Sequence, residues 1–188
     1  YPPGSTIKPL VALNGLEADL QEREDEIHCR GYYRLEGRGR RYRDWKAHGT
    51  VDLAAAITQS CDVMFYDLAL RLGIENLASF LRRFGLGQPT GIDIPGERGG
   101  LVPDPDWKRR ARGESWYTGE TLIHGIGQGY LQTTPVQLAA AAAMIANRGE
   151  PVRPRLFLRS RGPEKADRPA AEPRVPPLQL TLPADWEY

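Results

Sequence analysis

Apolar residues at Ile7, Leu10, Val11, Leu13 and Leu16 recur near the helical period and predict a first helix. It starts near Ser5, a favoured N-cap, and fades between Ala18 and Gln21. Pro2, Pro3 and Gly4 cannot continue a helix, whereas Pro9 is tolerated in a first turn. Residues 27–35 read as extended, Gly37 and Gly39 mark a turn, and Arg41-Tyr42-Arg43-Asp44-Trp45 returns as a second strand closed at His48-Gly49. Helices are predicted over 51–59, over 63–72 with Gly73 as its stop, and over 75–84 with Leu77, Phe80, Leu81 and Phe84 at core spacing. Residues 88–112 are rich in Pro, Gly and charge, which predicts loop with a short helix at 106–110. Trp107, Trp116 and Tyr117 pin that loop to the core. Residues 122–130 are glycine-rich, with a turn following His124. Thr134, Pro135 and Gln137 then cap an alanine-rich helix over 138–146. Residues 155–159 read as a strand, and 161–177 as a mobile loop.

Composition narrows this little. The 188 residues are 40% hydrophobic and 26% charged, which suits one domain with a real core. A net charge of +1 gives no electrostatic reason for nucleic acid or membrane binding. Basic residues cluster at Arg38, Arg40, Arg41 and Arg43 and again at Lys108, Arg109, Arg110 and Arg112, as solvated faces or as seats for an anionic partner. No apolar run reaches membrane-spanning length, no repeat is visible, and two cysteines make no disulfide framework. No leader precedes the first motif, so the chain reads as a cut fragment.

The chemistry is concentrated in two short motifs. Ser5 and Lys8 stand one turn apart on one helix face, close enough for the amine to take the hydroxyl proton. In Ser60-Cys61-Asp62, at a helix junction, a serine can pass a proton between a lysine and a leaving group, and Asp62 can bind a substrate amide. The glycines of 125–130 lack a Gly-Lys-Ser ending, which argues against a nucleotide. His124 reads as a packed, hydrogen-bonded residue rather than a base.

Five further stretches, Tyr1-Pro2-Pro3-Gly4-Ser5-Thr6, Arg41-Tyr42-Arg43-Asp44-Trp45-Lys46, Thr90-Gly91-Ile92-Asp93, Gly125-Ile126-Gly127-Gln128-Gly129-Tyr130 and Thr133-Thr134-Pro135, join those motifs. Over residues 1–160 the combination resembles the penicillin-binding protein 2 family, class B, elongation-type peptidoglycan D,D-transpeptidases. The resemblance implies an α+β fold: the mostly helical part of a penicillin-binding-protein/serine β-lactamase-like transpeptidase domain, with much of its antiparallel sheet missing. Residues 1–188 would be a partial domain, divided into a helical core 1–160, a mobile loop 161–177 and the start of a truncated sheet 178–188.

It further implies that neutral Lys8 deprotonates Ser5, which attacks a terminal D-Ala-D-Ala, while Ser60 and Lys8 return a proton to the departing D-Ala. The acyl-enzyme then passes to an amine of a neighbouring stem peptide. Lys8 must be held neutral by burial or nearby positive charge. β-Lactams, peptidoglycan stem peptides, an elongation-complex glycosyltransferase and scaffold proteins are the implied partners, at the periplasmic face of the bacterial inner membrane. No cofactor is implied for catalysis. The family's Lys-Thr/Ser-Gly motif is absent: none of Lys8, Lys46, Lys108 and Lys165 is followed by Ser/Thr-Gly. The chain by itself is therefore expected to be a poor or dead catalyst, since an oxyanion donor is worth about a hundred- to a thousandfold. A serine β-lactamase, a penicillin sensor or a non-catalytic module docking on a cell-wall synthase are the alternatives.

Cys29, Asp44, His48 and Cys61 offer two thiolates, a carboxylate and an imidazole, a set suited to a structural zinc. Related sequences look similar here, with Cys29 standing where an Asp is usual. A Cys29–Cys61 disulfide or two inert thiols remain open, with His28 a lesser substitute ligand.

Overall fold

The computed structural model describes residues 1–35, 39–157 and 175–180. Its central element is helix α1 (Lys8–Glu17), in which every residue from Leu10 to Leu16 is buried. A helix apolar all round must be enclosed by others. Helices α3 (Asp62–Leu72) and α4 (Ile74–Arg83) pack against it, and α3 in turn carries α6 (Thr118–Gly125). Glycines set these close crossings. A Cβ on Gly15 would meet the Leu68 side chain at 2.8 Å, and one on Gly125 would run into Ala69 and the Phe65 carbonyl. Phe65, Leu68, Leu77, Phe80, Leu81 and Leu122 fill the space between.

The helix start differs from expectation. Gly4–Ile7 forms a 3-10 turn that feeds α1, and no side chain caps it. Ser5 is therefore not an N-cap; its hydroxyl is engaged elsewhere.

The predicted single hairpin is two small antiparallel ladders. β1 (Ile27–Cys29) pairs with β4 (Gly49–Val51), and β2 (Tyr32–Arg34) pairs with β3 (Arg41–Arg43). Gly31, at φ 82°, breaks the strand in two. Val51 belongs to β4, so α2 is the shorter Leu53–Thr58, capped by the Asp52 carboxylate on the Ala55 N–H at 2.7 Å. Tyr33 and Tyr42 dock this unit on Tyr66 of α3, with ring centroids 6.2 and 5.8 Å apart.

α5 (Pro105–Arg112) and α7 (Pro135–Ala146) stand where expected, α7 with its Thr134–Gln137 capping box. α6 has no counterpart in the sequence reading: two glycines in Thr-Gly-Glu-Thr-Leu-Ile-His-Gly lower helix propensity, and contact with α3 overrides that. Residues 155–157 are not a strand: the Leu156 and Phe157 N–H groups bond the Asp93 carboxylate. Residues 178–180 form no strand, and Leu178 donates to the Gly149 carbonyl. Gly37, Arg38, residues 158–174 and 181–188 lie outside the described residues, and with them most of the expected mobile loop and sheet start. The basic cluster on α5 is not wholly solvated. Lys108 is 1% exposed, with its ammonium 2.7 Å from Glu120 and 2.8 Å from the Ser115 carbonyl.

Candidate active site

The 3-10 turn places Ser5 just ahead of α1, and Lys8 is the first residue of that helix. Gly4 takes φ 59°, and its N–H donates to the Gly127 carbonyl at 2.8 Å, so the glycine-rich turn buttresses the serine from behind. A Cβ on Gly127 would strike the Gly4 carbonyl, which explains a glycine there.

Ser60 arrives from a different local cause. Helix α2 ends in a Schellman turn: the Ser60 N–H bonds the Ile57 carbonyl and the Cys61 N–H bonds the Ala56 carbonyl. Ser60 occupies the left-handed position usual for glycine, at φ 56°. A non-glycine residue there costs about 1 kcal/mol or more, and such strain persists where surroundings hold it. Here it turns the hydroxyl toward Ser5, to which Ser60 Oγ donates at 2.9 Å.

Lys8 closes the cluster. It is 1% exposed and donates to Ser60 Oγ at 3.0 Å, to the Ser60 carbonyl at 2.9 Å and to Asp62 Oδ1 at 2.6 Å. The Phe65 ring lies 5.3 Å away. Three acceptors satisfy the three donors of an ammonium, as burial requires. Two expectations change. Among the described residues no hydrogen bond joins the Lys8 ammonium to the Ser5 hydroxyl: Ser60 Oγ stands between them, and Lys8 meets Ser5 only through its backbone N–H on the Ser5 carbonyl. The charged neighbour of Lys8 is a carboxylate rather than a cation, and in this geometry Asp62 contacts the lysine. Burial holds the Asp62 carboxyl above its usual range, opposed by the Lys8 hydrogen bond.

The second cluster adjoins the first. Ligand atoms of Cys29, Asp44, His48 and Cys61 all lie within 4.8 Å of one another. β1 supplies Cys29, the β3–β4 connection supplies Asp44 and His48, and Cys61 is the N-cap of α3. Both cysteines are free and buried, and the Asp44 and His48 side chains are fully enclosed. Asp44 Oδ2 accepts from both thiols at 3.4 Å and from the Asp62 and Val63 N–H groups at 2.8 and 3.1 Å; Oδ1 takes the Trp45 N–H and faces His48 Nε2 at 3.3 Å. Burial raises the Asp44 carboxyl but these bonds outweigh it, leaving it below its ordinary range. The Cys61 thiol is pushed up to about 12, chiefly by burial. His28 lies outside the cluster, on Thr50. The donors are of the type zinc takes.

Sequence reasoning missed two residues and a second role of a third. Trp45, 65% exposed, sets its indole N–H on the Ser60 carbonyl at 3.3 Å, and Phe65 faces Lys8. Asp44, expected only as a ligand, also holds the first turn of α3 and with it the Ser60–Asp62 segment. Position in a recurring motif was the only available signal. His124 is packed as expected, but neither ring nitrogen has a hydrogen-bond partner among the described residues.

The family described as penicillin binding protein transpeptidase domain matches residues 1–177. The chain is 45% identical over 164 residues to peptidoglycan D,D-transpeptidase MrdA of Acinetobacter baumannii, covering 86% of this chain and 24% of that protein. It also resembles the solved structure of Pseudomonas aeruginosa PBP2 in complex with WCK 5153, at TM-score 0.90 and 45% identity, over 100% of this chain and 42% of that one. Helicobacter pylori PBP2, solved as a complex with MreC, matches at TM-score 0.86 and 34% identity, over 100% of this chain and 33% of that one. The chain thus spans about a quarter of the first curated relative's length.

Proposed function

Because the chain belongs to the penicillin-binding protein transpeptidase domain family, we propose that it carries the nucleophile, base and relay of a peptidoglycan D,D-transpeptidase. The observation that carries this is the unbroken hydrogen-bond chain from Lys8 Nζ through Ser60 Oγ to Ser5 Oγ. The relay needs a neutral amine at Lys8, whose Nζ in this structure donates to Asp62 Oδ1 at 2.6 Å and to Ser60 Oγ at 3.0 Å. Ser5 then passes its proton to Ser60 Oγ as the Ser60 proton moves to Lys8 Nζ, and Ser5 Oγ bonds to the carbonyl carbon of the penultimate D-Ala. The tetrahedral adduct collapses by breaking the C–N bond. The proton held on Lys8 returns through Ser60 to the nitrogen of the leaving D-Ala. An amine of a second stem peptide attacks the ester and releases Ser5. A β-lactam enters the same first step with its strained amide, but its leaving group stays tethered.

Cys29, Asp44, His48 and Cys61 would hold a structural zinc, which supplies no chemistry to the ester but fixes, through Asp44, the turn that presents Ser60. The reading places the active protein at the periplasmic face of the inner membrane, alongside a glycosyltransferase and a scaffold protein of the elongation machinery. Among the described residues no helix is long and apolar enough to cross a membrane.

The test is a donor peptide ending in D-Ala-D-Ala, offered with an amine acceptor to the full-length gene product. Free D-Ala and a crosslinked dimer are expected, with a β-lactam adduct that turns over slowly. Rapid hydrolysis of the β-lactam without crosslinking would assign the protein to the β-lactamases instead.

A further inference from the structure

An open cavity of about 450 Å³ lies between β3, α6 and the 128–130 turn, apart from both clusters described above. That volume is in the range of small-ligand sites. Its walls are unusually aromatic: Tyr42, Trp116, Tyr117 and Tyr130 all line it. The rings are fixed. Trp107 packs on Tyr130 at 5.3 Å, the Trp116 indole N–H bonds Thr121 at 2.9 Å, and the Lys108 ammonium lies 4.2 Å from the Tyr117 ring centroid. Tyr117 nevertheless remains 52% exposed, so a ring that was expected only to pin a loop presents a free surface.

The polar groups of the lining select the ligand. Glu120 already accepts from Lys108 and from the Tyr117 N–H, which leaves it no role as a cation seat. Arg40 rests on the Tyr42 ring, its guanidinium 5.3 Å from the centroid. His124 lines the cavity, is 1% exposed and has no partner for either ring nitrogen among the described residues. Burial and the nearby Arg82 hold it neutral at pH 7, so it adds no charge to the wall, and its ring nitrogens are enclosed. The exposed Gln128 amide supplies a donor and an acceptor. Aromatic faces, balanced charge and a neutral donor–acceptor amide do not suit a phosphate or a polyanion. They suit an uncharged ring bearing hydroxyl and amide groups, whose C–H faces lie flat on tyrosine and tryptophan.

Position completes the argument. Gln128 is adjacent to Gly127, whose carbonyl holds the Gly4 N–H beside Ser5. Resting on the transpeptidase reading, we propose that this cavity is a glycan subsite that takes an N-acetylated hexosamine of the strand whose stem peptide reaches Ser5.

Chitotetraose, a β-linked N-acetylglucosamine oligomer without peptide, is the probe. It is titrated into the full-length gene product by calorimetry and by saturation-transfer NMR. Saturable binding is expected, with transfer to the N-acetyl and ring protons, weakened about tenfold in Tyr117→Ala, the loss of one aromatic contact. Gln128→Ala, an exposed change that leaves folding intact by thermal melting, should weaken it as well. No binding, or equal binding by both variants, overturns the subsite, as does binding of a sugar-free stem pentapeptide that Tyr117→Ala abolishes while chitotetraose does not bind. Penicillin labelling of Ser5 in the same preparations reports separately on the transpeptidase reading.

Discussion

Ser60 is the residue on which the chemistry turns, because its hydroxyl bridges the Lys8 amine and the Ser5 hydroxyl. Ser60→Ala should slow acylation by about a hundredfold or more, the usual worth of a positioned proton carrier, as measured by stopped-flow with a chromogenic cephalosporin. Ser60→Gly, which relieves the left-handed strain but lacks the hydroxyl, should be equally slow; a fast glycine variant would make Ser60 a structural residue only. His124 yields a prediction of stability. Its folded pKa of about 4 lies below the ordinary 6.5, with burial the main cause and Arg82 the lesser. The unfolded chain therefore binds a proton that the folded one refuses, and stability is full above pH 6.5 and falls as pH drops toward 4. The loss is on the order of 3 kcal/mol. His124→Gln should flatten the urea-midpoint profile over that window; an unchanged profile would show that the imidazole is not the group responsible. Neither residue's state was legible in sequence: the motif named Ser60 but not its φ, and nothing local to His124 says that its nitrogens go unpartnered.

At the scale of elements, the glycines and the Asp44 cluster decide how helices meet. Gly125→Val should destabilise the α3–α6 crossing by about 3 kcal/mol, since Ala69 and the Phe65 carbonyl stand where its side chain must go; the midpoint of urea unfolding checks this. The four-ligand cluster ties β1, the β3–β4 connection and α3 together. One equivalent of zinc should accompany the purified protein. Its removal by a chelator should lower the melting temperature and expose two titratable thiols, whereas two free thiols with no metal would discard the zinc. Helices with clean periodicity or strong caps, such as α4 and α7, were readable to within a residue or three. The failures share a cause. α6 is a helix by virtue of its packing on α3, and the β1–β4 and β2–β3 pairings depend on Gly31 breaking a run that sequence alone reads as continuous.

For the whole molecule, the central helix α1 delivers Ser5 and Lys8, the α2–α3 junction delivers Ser60 and Asp62, and two antiparallel ladders brace that junction through Asp44. Convergence of 5, 8 and 60 was foreseeable from motif order; the insertion of Ser60 between the other two, and the pairing of Lys8 with a carboxylate, came only from geometry. With no Lys followed by Ser/Thr-Gly, these 188 residues expressed alone should label with penicillin about a hundred- to a thousandfold more slowly than a relative that has that motif, measured as gel fluorescence against time. The most direct measurement is peptide mapping by mass spectrometry of the full-length gene product after incubation with a penicillin. A single adduct on the peptide containing Ser5, absent from Ser5→Ala, is the predicted result. An adduct at another residue, or one undiminished by that substitution, would contradict the assignment of Ser5 as nucleophile.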